Sequence, residues 1–141
     1  PSIIICEYNS LFGEKKSITV PYKKNFIRYK EHYSNLYYGA SIRSFIDIMK
    51  TKNYSFIGTN SAGNNAFFVK KNLRNAVSKI ILYKKIFRSK FRESKDLKGN
   101  LSFLSKKKSL ELIKNKHIID LNDKNKKKLE LKLLNLWEIQ L

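Results

Sequence analysis

A single cysteine, Cys6, rules out any disulfide within the chain. It lies in an apolar run, and a lone thiol of that kind suits a reducing compartment, so a cytoplasmic location is the expectation. Acidic side chains are scarce: 11 Asp and Glu stand against 30 Lys and Arg, for a formal charge of +19. Arginine is scarce as well, with five (Arg28, Arg43, Arg74, Arg88, Arg92) against 25 lysines. No uninterrupted apolar run reaches the ~20 residues that cross a bilayer. No signal-peptide pattern opens the chain either, so no membrane partner is expected. The two histidines and the one cysteine are far apart and match no zinc spacing, so no metal is expected.

What the chain does contain excludes wholesale disorder: 42% of its residues are hydrophobic and 13% aromatic. Its 141 residues suffice for one domain with a modest core. The positive charge would ordinarily point to a polyanionic partner. Arginine, however, is the residue that grips phosphate and guanine edges with two bonds at once, and it is rare here. Lysine, asparagine and isoleucine share A/T-rich codons, so biased coding could produce most of the charge with no nucleic-acid role. Residues 1–68 carry nine basic and four acidic side chains, and residues 69–141 carry 21 and seven. Lysines in the second half are scattered among Leu and Ile, which reads as a solvated face, and a nucleic-acid partner is not favoured.

Along the chain, residues 2–9 (SIIICEYN) read as a strand. So continuous an apolar run suggests burial on both faces in the middle of a parallel sheet. With Pro1 in place of Met and nothing upstream to flank that strand, a fragment or truncated product is expected. Residues 10–38 form a long connection rich in aromatics: Phe12, Tyr22, Phe26, Tyr29, Tyr33, Tyr37 and Tyr38. From Gly39 the period becomes helical, with Ala40, Ile42, Phe45, Ile46 and Met49 on one face. Ser41 is placed as its cap and Asn53 as its stop. Residues 54–59 (YSFIGT) read as a second strand. The turn formers Asn60 to Asn65 then lead into a returning strand over 66–70, an antiparallel hairpin. A right-handed crossover makes the first two strands parallel. Further on, a helix is expected within 73–87, a surface loop over 88–100, and a helix over 105–113 capped by Ser105. A strand is expected over 117–121 and a turn over 122–128. Residues 129–141 fit either a bulged strand or a short helix.

Three stretches carry a resemblance: PSIIICEYNSLFG, YYGASIRSFIDIMKTKNYSFIGTNSAGNNAFFV and KFRESKDLKGNLSFLS. Together they resemble the carboxyl-terminal half of bacterial proteins with a class I methyltransferase-like fold, close to the FkbM type. There the fifth strand is followed by a helix, a sixth strand and an antiparallel seventh strand beside the fifth. The resemblance implies an α/β fold class: a partial Rossmann-like methyltransferase sheet with a lysine-rich α+β tail. Residues 1–72 would be the distal part of the domain and 73–141 a basic extension packing on it. It implies S-adenosylmethionine as cofactor of the parent protein, but not of this piece, which has neither the Gly-rich turn nor the acidic strand end that hold it. The implied partners are the missing amino-terminal half of the same protein and a small-molecule or glycan acceptor. The piece alone is expected to be inactive.

Candidate substrate-binding residues are assigned by position. Glu7, Tyr8 and Asn9 end the first strand, where open parallel sheets present ligand sites. They could equally serve only to satisfy backbone groups there. His32 lies among Tyr33, Tyr37 and Tyr38 and could act as a base, although no carboxylate partner is evident. The tyrosine-rich connection reads as packing over the sheet, as a substrate lid. Asn60, Asn64 and Asn65 cluster after a strand but lack phosphate-loop spacing. His117 reads as a strand-edge residue, and no catalytic residue is assigned. The rival reading is a non-enzymatic basic module that binds nucleic acid or another acidic partner. A scaffold that keeps the fold without the activity is a third.

Overall fold

The computed structural model describes residues 1–78, 85–89, 94–134 and 136. Its elements are mixed α/β, organised around two small antiparallel sheets.

The first sheet contains β1 (Ile3–Glu7), β3 (Tyr54–Thr59) and β4 (Asn65–Lys70), in the order β1-β4-β3. β4 runs antiparallel to both neighbours, so β1 and β3 are parallel to one another. Ile4 pairs with Phe68 and Cys6 with Ala66, and this face packs under α2 (Ile42–Thr51). Helix α2 forms where the apolar stripe predicts it. Ile42 is buried, and Phe45, Ile46 and Met49 pack against Phe68 and Ala66. Ser41 caps it, its hydroxyl accepting the Ser44 N–H at 3.2 Å. Asn53 ends it in the left-handed region at φ 61°, where a short polar side chain is tolerated.

Within the described residues of this chain β1 does not lie in the middle of a parallel sheet. Among the described strands β1 is an edge, its one neighbour is antiparallel, and Ile3 and Ile5 are 55% and 60% exposed. Successive side chains of a strand point to opposite faces. Three isoleucines in a row therefore put one on the core and two outside, and the run alone does not say what covers the outer pair.

The second sheet orders β2 (Ile18–Thr19), β5 (His117–Asp120) and β6 (Lys128–Glu130) as β2-β5-β6, antiparallel throughout. The short strand β2, inside the long connection, left no signal in the sequence. This sheet packs with α4 (Lys106–Ile113), which is capped by Ser105 as expected. The core combines Phe12, Ile18, Leu36 and Tyr37 from the early chain with Leu110, Ile113, Ile118 and Leu131 from the late chain. A single helical turn, α1 (Arg28–Glu31), breaks the long connection.

The helix expected within 73–87 is shorter: α3 covers Arg74–Ser78, residues 79–84 lie outside the described residues, and 85–89 are not helical. Instead, Lys85 and Phe87 run beside β3, where the Thr59 N–H donates to the Lys85 carbonyl and the Phe87 N–H to Thr59 Oγ1. Past β6 the chain takes a 3-10 turn over Leu131–Leu134, and residues 135 and 137–141 lie outside the described residues.

Candidate functional site

β1 and β3 end on the same side of the first sheet, and six of the ten residues singled out in the sequence gather there. Glu7 is exposed and stands opposite Asn65 in the register. The Tyr8 N–H donates to the Asn64 carbonyl at 2.9 Å, joining the β1 end to the loop between β3 and β4. The Tyr8 side chain is buried and hydrogen-bonded to that of Thr59. Burial raises its pKa, and the Glu14 charge adds to the rise while the Thr59 bond opposes it.

Asn9 is 1% exposed and its polar atoms are taken up by the fold. Nδ2 donates to the Leu36 carbonyl at 2.9 Å and the Tyr38 carbonyl at 3.0 Å, and Oδ1 accepts the Leu11 N–H at 3.1 Å. It thus clamps the two ends of the connection together. The three loop asparagines are similarly occupied with one another. Asn60 Oδ1 accepts the N–H groups of Asn64 and Asn65, and Asn64 Oδ1 accepts from both Asn60 and Asn65 side chains. Gly63 allows this loop to fold down, since a Cβ there would come within 2.6 Å of the Phe87 carbonyl and its φ is +70°.

Of the other four, only Tyr37 belongs to the second core, while His32 and Tyr38 are half-buried and Tyr33 is exposed. His32 Nδ1 is 2.7 Å from Ser34 Oγ and accepts the Ser34 N–H at 3.3 Å, while its ring stacks on Tyr33 with centroids 4.6 Å apart. Burial lowers its pKa, and the nearby Lys116 charge lowers it further. With Nδ1 accepting, the neutral ring carries its hydrogen on Nε2. Tyr37 is buried, donates its hydroxyl to the His117 carbonyl, and is pushed up to about 12 by burial and by Glu31. Tyr38 lies between the two groups: its carbonyl accepts from Asn9, and the Arg28 guanidinium sits 3.5 Å above its ring.

Sequence reasoning did not single out Thr59, whose side chain bonds Tyr8, nor Glu14, Arg88 and Lys106, whose charges act on Tyr8 or on one another. Lys106 lies on the exposed first turn of α4, yet desolvation of its ammonium lowers its pKa to about 8, with Arg88 lowering it further and Glu14 opposing. One lysine in a run of three carries no sequence signal that sets it apart. Among the described residues no cluster of His, Cys, Asp and Glu could hold a metal, and no helix is long and apolar enough to cross a membrane. Two open clefts lie away from the strand ends. One, of about 320 Å³, is lined by Lys52, Asn53, Lys70, Lys71 and Asn72. The other, of about 540 Å³, is lined by Lys107, Glu111, Lys114, Asn115 and Lys132.

The chain matches no protein-family model, no curated protein and no solved structure.

Proposed function

We propose that this chain is the distal part of a methyltransferase-like protein and supplies acceptor-side surface at the carboxyl ends of β1 and β3. One observation carries the reading: the strand order β1-β4-β3, with β1 and β3 parallel and the antiparallel β4 inserted between them. That order, with α2 in the crossover, agrees with the fifth, seventh and sixth strands of the class I methyltransferase sheet. Ligands of open α/β sheets bind outside the carboxyl ends of parallel strands, and Glu7, Tyr8 and Thr59 are the candidates there.

S-adenosylmethionine does not fit the residues present. Among the described residues no Gly-rich turn leads from a strand into a helix, and the amides of Asn60, Asn64 and Asn65 are already bonded to one another. The cofactor would be held by residues outside this sequence, and this chain would contribute the positioning of the acceptor. Glu7 is the rim residue best placed for that, being exposed and without an ion pair among the described residues.

Reading the coding frame directly upstream of Pro1 tests the proposal. A strand, a Gly-rich turn and a further strand ending in an acidic residue are expected. A start codon at this boundary would overturn it.

A further inference from the structure

The aromatic connection was expected to pack over the sheet, and only part of it does. Tyr37 is buried and Tyr38 half-buried, whereas Tyr22 is 90% exposed, Tyr29 63% and Tyr33 39%. These three are the exposed tyrosines among the described residues, and all lie within residues 22–33. The backbone beneath them is held in place. The Phe26 N–H closes a turn on the Lys23 carbonyl at 3.2 Å, α1 adds a helical turn, and Lys23 pairs with Glu31. Arg28, stacked over Tyr38, donates Nε–H to the Asn35 carbonyl. Tyrosine rings on so fixed a turn lose little entropy when something stacks on them.

The charge around the rings is of one sign. Residues 22–33 hold Lys23, Lys24, Arg28 and Lys30 against Glu31 alone, and Glu31 is taken by Lys23. Lys24 and Lys30 are exposed and make no ion pair among the described residues. A partner that matches both features offers flat π-faces joined by regularly spaced negative charge. Stacked, unpaired bases on a phosphodiester backbone have that chemistry, whereas a duplex hides its base faces.

We propose that the turn bearing Tyr22, Tyr29 and Tyr33, with Lys24 and Lys30, is a stacking platform for single-stranded nucleic acid. The proposal stands apart from the methyltransferase-like reading and does not depend on the lysine-rich second half. That half would bind any polyanion, while the rings select unpaired bases.

Fluorescence anisotropy of the 141-residue chain with a labelled oligothymidylate, a duplex of equal length and heparin tests it. The oligothymidylate should bind more tightly than the duplex. Replacing two of the three rings (Tyr22→Ala with Tyr29→Ala) should weaken single-strand binding by at least about fivefold, the lower end for one lost base stack. Duplex and heparin binding should not change, and the paired Tyr→Phe variant should bind like the parent. Because the rings are exposed, the alanine variant should unfold at the parent's temperature. Equal weakening towards heparin and duplex, or an alanine variant that binds the single strand undiminished, would overturn the proposal.

Discussion

Both amide hydrogens of Asn9 reach carbonyls far along the chain, on Leu36 and Tyr38. A side chain so engaged holds a backbone crossing together, and its loss leaves buried carbonyls without a donor. Asn9→Ala should therefore cost roughly 2–3 kcal/mol, as estimated from one to two unsatisfied buried groups. Urea unfolding measures this, and a cost near zero would mean that water replaces the amide at no penalty. His32 makes a second prediction at this scale. Its NMR titration midpoint should fall below the usual 6.5, and Lys116→Gln should raise it, because the ammonium is one of the two causes of the shift. A histidine with a lowered folded pKa is protonated first in the unfolded chain. Its contribution to stability is thus present above pH 6.5 and is lost as pH falls through the folded midpoint.

Helix α2 shows what local pattern can and cannot foretell. Its stripe, its Ser41 cap and its Asn53 stop could all be read from adjacent residues, as could the hairpin of β3 and β4 from its turn formers. Ser41 does more than its position suggested. Besides capping, its hydroxyl donates to the Lys16 carbonyl at 2.7 Å and accepts the Ile18 N–H at 3.2 Å, fastening β2 to the helix start. Ser41→Ala should consequently cost about 2 kcal/mol, the upper part of the range for a lost cap. Circular dichroism through a urea titration would show it, and a cost of a few tenths would reduce Ser41 to a simple surface cap. That Glu7, Tyr8 and the loop asparagines fall at strand ends was legible for the same local reason. What was not legible was that the side chain of Asn9 is taken up by the fold, since its carbonyl partners lie 27 and 29 residues away. Equally, the Ile3-Ile4-Ile5 run predicted a strand but could not supply its neighbours, and β2, of two residues, gave no periodicity to detect.

Across the whole molecule, the two sheets are tied together by the connection between β1 and α2, which itself contains β2. Phe12, Ile18, Leu36 and Tyr37 enter the core of the second sheet, while Asn9 and Ser41, at either end of the same segment, belong to the first. Unfolding should therefore spread from one sheet to the other. Ile118→Ala, at a position with 0% exposure, should cost about 2–5 kcal/mol. Hydrogen exchange should then show lowered protection in β1 and β4 as well as β5. Protection lost from β5 alone would make the two sheets independent.

The central claim, a methyltransferase-like parent, is tested most directly by calorimetric titration of S-adenosylmethionine into the complete gene product. Saturable binding of one cofactor per chain is expected, and no binding to the 141-residue chain by itself. Absence of binding by the complete product, or equal binding by the 141 residues alone, would contradict it.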